Sequence, residues 1–338
     1  MFYTPVVAHW IALGLRYGDV LLPTAANPRI EAGGLCGESK IAILDQVGPE
    51  GRGLIAPYTS VLTSNEDRKA DIEAAEAAMA GAGLTYPLIA KPDIGCNGNG
   101  VRVLSGRDEL VAYLSVFPRG QRVMLQQLVR DEGEAGIFYI RFPDETEGRI
   151  TSITLKSPPL VIGNGRSTLE QLILADPRAG RVSHLYLPRL ADRLREIPAQ
   201  GVRVPLVFVG NHCKGSIFYD GTGEVTPALT SSIDRIAKAI PEFFFGRFDV
   251  RFSSRRALRR GEGFRIIEIN GVGSEPTHIW DARTTLREAW RAQFYHYGMA
   301  FRIGSANRAR GYRPTPVLEV LRLWRLQKRL MAAYPSND

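Results

Sequence analysis

Three features of the sequence predict an α+β fold built on two sheets. Compact apolar runs of strand length recur along the chain, some with period-two alternation. Stretches of helical composition stand between them, and glycine and proline cluster at the joints. With 338 residues, 44% of them hydrophobic, the chain can bury a substantial core. Its 34 glycines and 21 prolines form neither a low-complexity tract nor a fixed-period repeat, so disordered, fibrous and solenoid classes are excluded.

Residues 2–15 are apolar but carry His9 and Trp10, lack a basic leader and a small-residue cleavage site, and are too short for a span of about 20 residues. A buried first segment is expected, with contact to a membrane surface through Tyr3, Trp10 and Arg16 as the alternative. PTAANP at 23–28 and Gly33-Gly34 mark loops, after which Glu38, Ser39 and Lys40 open a helix towards Gln46. Residues 66–81 are helical by composition and end at glycine. Residues 86–90 form a strand that enters the glycine-rich turn KPDIGCNGNGV. Strands are expected at 123–129, 137–142 and 150–155, and a helix start at 168–174 after Gly163-Asn164-Gly165. Residues 205–209, 215–219, 245–252 and 264–269 are expected to supply a second sheet, with 233–240 helical between them.

The three cysteines, Cys36, Cys96 and Cys213, lack metal-ligand spacing. They argue for a reducing compartment, the cytoplasm, and against a disulfide framework or structural zinc. The net charge of +8 resides in residues 282–338, where eleven Lys and Arg face three acids. There residues 317–333 read as an amphipathic helix with Val317, Val320, Leu321, Trp324 and Met331 on an apolar stripe and Arg322, Arg325, Lys328 and Arg329 off it. A docked helix with a solvated basic face is the plainer reading, and attraction to an anionic membrane or polyanion the sharper one.

In GRFDVRF (246–252), alternation puts Arg247, Asp249 and Arg251 on one strand face and Phe248, Val250 and Phe252 on the other. In FRIIEIN (264–270) it pairs Glu268 with Asn270 and turns Ile267 and Ile269 away. The polar stretch SSRRALRRGEG (253–263) reads as the loop joining two antiparallel neighbours. Asp249, Glu268 and Asn270 then converge as hard oxygen donors suited to Mg²⁺, with Mn²⁺ as the alternative, and nucleotide phosphates complete such a shell. Arg247 beside them can stabilise a transferring phosphoryl group. The competing reading is a solvated strand pair. Lys91 at a strand end, followed by Gly95, Gly98 and Gly100, supplies a phosphate loop that is neither a Walker A nor a dinucleotide motif.

In this order, YPLIAKPDIGCNGNGV (86–101), LQQLVRDEGE (125–134), GRFDVRF and FRIIEIN resemble the ATP-grasp superfamily of ligases over about residues 38–281. GRFDV is particularly like D-alanine–D-alanine ligases, and LKSPPLVIGNGRSTLEQLI (155–173) is similar to a pattern of cyanophycin synthetases. The resemblance implies an ATP-grasp fold, with a short N-terminal region (1–37), a subdomain with a glycine lid (38–125), a subdomain with the metal site (126–285) and a basic helical extension (286–338). It implies that Lys91, and further Lys40, bind phosphates, that Gln127 and Val129 lie on the adenine linker, that Glu134 lies near the ribose, and that Lys156 and Lys214 act near the γ-phosphate. Lys214 stands where relatives have Arg, and Gln127 where many have Glu.

The implied activity is Mg-ATP-dependent activation of a carboxylate as an acylphosphate for attack by an amine, or less often a thiol. The alternatives are an enzyme acting on an anionic or membrane-anchored acceptor, and a non-catalytic nucleotide-binding protein at a membrane. The partners expected are small carboxylate and amine substrates, an anionic membrane surface reached through the basic helix, and a second copy in a homodimer, with no nucleic acid. After Asn270 the chain reads GVGSEPTHIWD (271–281) and departs from D-alanine ligases. Glu275 and His278 there, with Arg141 on an earlier strand, are the candidate substrate contacts.

Overall fold

The computed structural model describes residues 2–64, 66–207 and 215–335. The helices are α1 (Thr4–Tyr17), α2 (Lys40–Asp45), α3 (Pro49–Arg52), α4 (Arg68–Gly81), α5 (Arg107–Val116), α6 (Leu169–Ala175), α7 (Pro227–Lys238), α8 (Arg255–Arg259), α9 (Leu286–Ala309) and α10 (Val317–Ala333). The strands are β1 (Tyr58–Leu62), β2 (Leu88–Pro92), β3 (Arg102–Leu104), β4 (Arg122–Gln127), β5 (Gly133–Ile140), β6 (Arg149–Ser157), β7 (Leu160–Ile162), β8 (Arg203–Pro205), β9 (Ile217–Asp220), β10 (Phe245–Phe252) and β11 (Phe264–Asn270).

One sheet has the order β1-β4-β2-β3 and the other β11-β10-β5-β6-β9, all neighbours antiparallel. The first packs against α4 and α5 through Leu88, Ala90, Val123 and Leu125 on Leu110, Tyr113 and Leu114. The second has two different faces because side chains alternate along its strands. Ile137, Phe248, Val250 and Ile266 pack on Leu229, Ile233 and Ile236 of α7. The opposite face begins with Phe138, Ile140 and Phe245 under Ala300 and Ile303 of α9, and continues as the charged residues Glu134, Lys156, Arg247 and Asp249 along a cleft.

Local chemistry sets the element ends. Ser39 caps α2 by accepting from the Ala42 amide at 3.0 Å, Asp67 caps α4, and Thr168 and Thr285 form capping boxes at α6 and α9. Asn27 ties the entry segment to the second sheet. Its Nδ2 donates to the Gly33 and Phe245 carbonyls and its Oδ1 accepts from the Phe244 and Phe245 amides. Gly34 then approaches Gly271 so closely that a Cβ on it would lie 2.6 Å from the Gly271 Cα, and its φ of +77° favours glycine as well.

Several expectations need correction. The segment at the start of the chain is a helix only half-buried on α9: Val6 is covered, whereas Tyr3, Val7, Ile11 and Leu15 are exposed at i,i+4 spacing. Of the strand expected at 205–209, Pro205 ends the strand Arg203–Pro205, which pairs with β7 outside the second sheet, and residues 208 and 209 lie outside the described residues. Instead β5 and β6 lie inside that sheet: they pair with each other as a local hairpin, and their outer edges are satisfied by long-range pairing with β10 and β9. The link between β10 and β11 contains α8, capped by Ser254. The stripe on α10 is rotated: Leu323 and Leu330 are buried, while Val317, Leu318, Leu321 and Trp324 remain exposed. Among the described residues no helix is long and apolar enough to cross a membrane.

Candidate active site

The two sheets face each other across a cleft of about 610 Å³. β10 and β11 pair with Asp249 opposite Glu268 and Arg247 opposite Asn270. Arg247 grips Asp249 through two bonds, Nε to Oδ1 and Nη2 to Oδ2, each 3.0 Å. Lys156 of β6 adds a bond to Asp249 Oδ1 at 3.0 Å and an ion pair to Glu134 at 3.2 Å, and Arg251 closes on Glu134 at 2.9 Å. The Asn270 amide donates to Asp249 Oδ2 at 3.2 Å. Burial opposes ionisation of Asp249, but Arg247 and Lys156 overcome it and hold the carboxyl well below the usual range. Lys156 is likewise desolvated, yet Asp249 and Glu134 raise its pKa.

A register shift after Asp249 changes one expectation on β11. Ile266 pairs with Val250, and Ile267 bulges out to line the cleft instead of facing the core. That bulge turns the Ile267 carbonyl towards the first sheet, where Lys91 Nζ reaches it at 2.9 Å. Lys91 also donates to Gln126 Oε1 at 2.9 Å, and among the described residues no carboxylate forms an ion pair with it. Burial lowers its pKa to about 8, against the opposing pull of Glu268. Lys40 stands 3.6 Å from Glu268 and donates to the Gly95 carbonyl, joining the glycine loop to the carboxylate strands.

Gly95, Gly98 and Gly100 have positive φ, and Gly95 and Gly98 line the cleft while Gly100 lies behind it against Pro92 and Tyr334. Helix α10 docks on the outside of this loop. Tyr334 donates to the Ile94 carbonyl at 2.6 Å and stacks on Phe117, while Gln327 accepts from the Gly37 amide at 2.6 Å. Gln127 and Val129 line the cleft as well, although the Gln127 amide is committed to the Pro57 carbonyl at 2.8 Å.

The structure thus brings together Lys40, Lys91, Lys156, Arg247, Asp249, Glu268, Asn270 and Glu134. It does not bring Arg141 or His278 into the cleft lining. Arg141 follows β5 seven residues beyond Glu134, roughly 23 Å along an extended chain and with opposite parity, and it lies over the Phe244 ring at 4.8 Å. Burial lowers the pKa of His278 although the charges of Asp220 and Asp281 oppose this, and among the described residues its Nδ1 has no partner. Lys214 lies outside the described residues, as do His212, Cys213 and the turn that carries them.

Sequence reasoning missed Gly136 and Trp280, and it did not foresee the places of Gln126 and Tyr3 in the cleft. Gly136 gives room to the Arg247–Asp249 pair, since a Cβ there would sit 3.0 Å from Arg247 Cδ. No local pattern marks these four residues. Gln327 and Tyr334 were detectable, because Leu323, Gln327, Leu330 and Tyr334 follow helical spacing.

A metal has a fitting donor set here: two carboxylates, one of them held ionised, and an amide side chain, all on adjacent strands. Among the described residues no group of three His, Cys, Asp or Glu forms a metal cluster, so any such ion would depend on Asn270 and on ligands from outside the protein.

A cleft between two antiparallel sheets, covered by a glycine loop, with a buried lysine from one sheet and paired carboxylates on the other, is what the ATP-grasp resemblance of the sequence leads one to expect. Among curated proteins the chain is similar to the cyanophycin synthetases of Trichormus variabilis (strain ATCC 29413 / PCC 7937) and Nostoc sp. (strain PCC 7120 / SAG 25.82 / UTEX 2576). Each is 25% identical over 212 residues, covering 57% of this chain and 23% of the relative. The chain therefore spans under a quarter of the length of those relatives. No protein-family model matches it. Solved structures that align with it include D-alanine–D-alanine ligase from Bacillus anthracis, at 16% identity, 82% of this chain, 69% of that one and a TM-score of 0.43. VanG D-Ala:D-Ser ligase from Enterococcus faecalis aligns at 15%, 79%, 62% and 0.42.

Proposed function

We propose that the protein is a Mg-ATP-dependent ligase that activates a substrate carboxylate as an acylphosphate for attack by an amine. One observation carries this reading: Lys40 from α2, Lys91 from the first sheet, and Lys156 and Arg247 from the second converge around the Asp249–Glu268–Asn270 group beneath a glycine loop.

Lys91 and Lys40 bind phosphate oxygens, and the backbone of residues 95–100 covers them. Asp249, Glu268 and Asn270 would hold a metal ion, which when bound would neutralise charge on the phosphates. A carboxylate oxygen attacks the γ-phosphorus, the bond to the β-bridging oxygen breaks, and ADP leaves. Lys156 and Arg247 stabilise the equatorial oxygens of that transfer. The amine nitrogen then attacks the acyl carbon, phosphate departs with the electron pair of the broken C–O bond, and the surplus ammonium proton passes to solvent. Lys214 joins the phosphate-binding set on the strength of the sequence resemblance. Glu275, at the cleft, contributes to the acceptor side.

Acceptor-dependent ADP formation, screened over amino acids and amines with Mg²⁺, tests the reading. Asp249→Asn and Glu268→Gln should each lower that turnover by about a hundredfold or more. Unchanged turnover in both variants would remove the metal assignment, and ATP hydrolysis indifferent to every carboxylate and amine would remove the ligase reading.

A further inference from the structure

Resting on the ligase reading, we propose that the end of the cleft beyond Arg247 is a subsite for the cationic side group of a basic amine acceptor, such as a diamine or basic amino acid. Glu275 is its counter-ion, and Tyr3 and Trp280 are its aromatic wall.

Glu275 Oε1 is fixed by two donors from distant parts of the chain, the Tyr3 hydroxyl at 2.9 Å and Gln293 Nε2 at 2.8 Å. Gln293 is fully buried in α9, so the carboxylate is held from behind. Among the described residues no donor reaches Oε2 and no cation forms an ion pair with Glu275. The aromatic wall is built as firmly. The Phe2 carbonyl accepts from Trp290 Nε1 at 3.0 Å, and the Phe2 ring lies 5.0 Å from Tyr3 and 5.1 Å from Trp280. Tyr3, Trp280 and Glu275 all line the cleft.

A half-buried carboxylate among aromatic rings favours a positively charged nitrogen twice, by charge and by the ring quadrupoles. Arg247 separates this end from the phosphoryl-transfer residues. Its Nη1 donates to the Glu275 carbonyl at 3.0 Å while its Nε and Nη2 hold Asp249, and, against the effect of burial, the charges of Glu268 and Glu275 add to that of Asp249 in raising its pKa. A cation on Glu275 therefore sits a guanidinium away from Asp249, which suits the distal group of the acceptor and not its reacting nitrogen.

The test compares 1,5-diaminopentane with 5-amino-1-pentanol, which keeps one amine and replaces the distal cation by a hydroxyl. With a carboxylate donor that supports turnover, the diamine should show a KM about tenfold lower. Glu275→Gln should abolish that advantage by raising KM for the diamine to that for the amino alcohol, and Tyr3→Phe should weaken it in part. Equal KM values in the wild-type protein, or equal losses for both acceptors in Glu275→Gln, overturn the subsite. If no amine supports ADP formation, the ligase reading falls by itself. Calorimetric binding of 1,5-diaminopentane to the Mg-ATP-loaded full chain then decides the subsite: binding lost in Glu275→Gln upholds it, and no binding overturns it.

Discussion

Replacing Lys91 by methionine removes a buried ammonium that is held by two neutral oxygens, Gln126 Oε1 and the Ile267 carbonyl, each at 2.9 Å. Its pKa falls from 10.5 to about 8 because burial outweighs the pull of Glu268. At neutral pH the folded protein therefore bears a charging cost of about 3 kcal/mol relative to the unfolded chain. The sign follows from proton counts. Between about pH 8 and 10.5 the unfolded state binds the Lys91 proton more fully than the folded state, so this group makes stability rise with pH across that window. Below pH 8 the cost is present in full. Urea unfolding of wild type and Lys91→Met at pH 7, 8, 9 and 10 isolates the effect. The difference between the two proteins should change by up to about 1.4 kcal/mol per pH unit above pH 8 and be flat below it. Parallel stability profiles from pH 7 to 10 would refute the reasoning. Under the proposed function the phosphates of ATP re-stabilise the ammonium, so ATP binding in weak buffer at pH 8 should take up a fraction of a proton.

Other sites give equally direct tests. Gly136→Ala places a methyl 3.0 Å from Arg247 Cδ and 3.1 Å from Asp249 Oδ1, so ADP formation should fall about tenfold or more while stability drops by only about 1 to 3 kcal/mol. Asn27→Ala removes four buried hydrogen bonds and leaves the Phe244 and Phe245 amides without an acceptor, a loss of about 3 to 5 kcal/mol measurable by denaturant titration. Tyr334→Ala deletes the bond to the Ile94 carbonyl and the stack on Phe117. Amide exchange across residues 94–100 should speed up about tenfold, with exchange in the second sheet unchanged.

Much of the fold and site was legible because it follows from short-range periodicity. Alternation in GRFDVRF separated Arg247, Asp249 and Arg251 from Phe248, Val250 and Phe252, and β10 has these two faces. The helix start at Lys40 was announced by its serine cap, and the turn after Lys91 by its glycines. The failures share a cause. Ile267 left its expected face because pairing with β10 shifts register, and a bulge depends on two strands at once. The place of Arg141 against Phe244 and the pairing of Arg203–Pro205 with β7 are likewise set by distant segments.

By itself, the sequence determined the α+β class, the order of the phosphate-loop and carboxylate segments, and the charged faces of their strands, all properties of residues within a few positions of each other. Only the tertiary structure decided that Lys91 meets the Ile267 carbonyl, that α10 clasps the glycine loop from outside, and that Tyr3 and Gln293 converge on Glu275. These contacts join residues separated by 18 to 272 positions, and their partners are selected by packing of whole elements, for which no local pattern carries a signal.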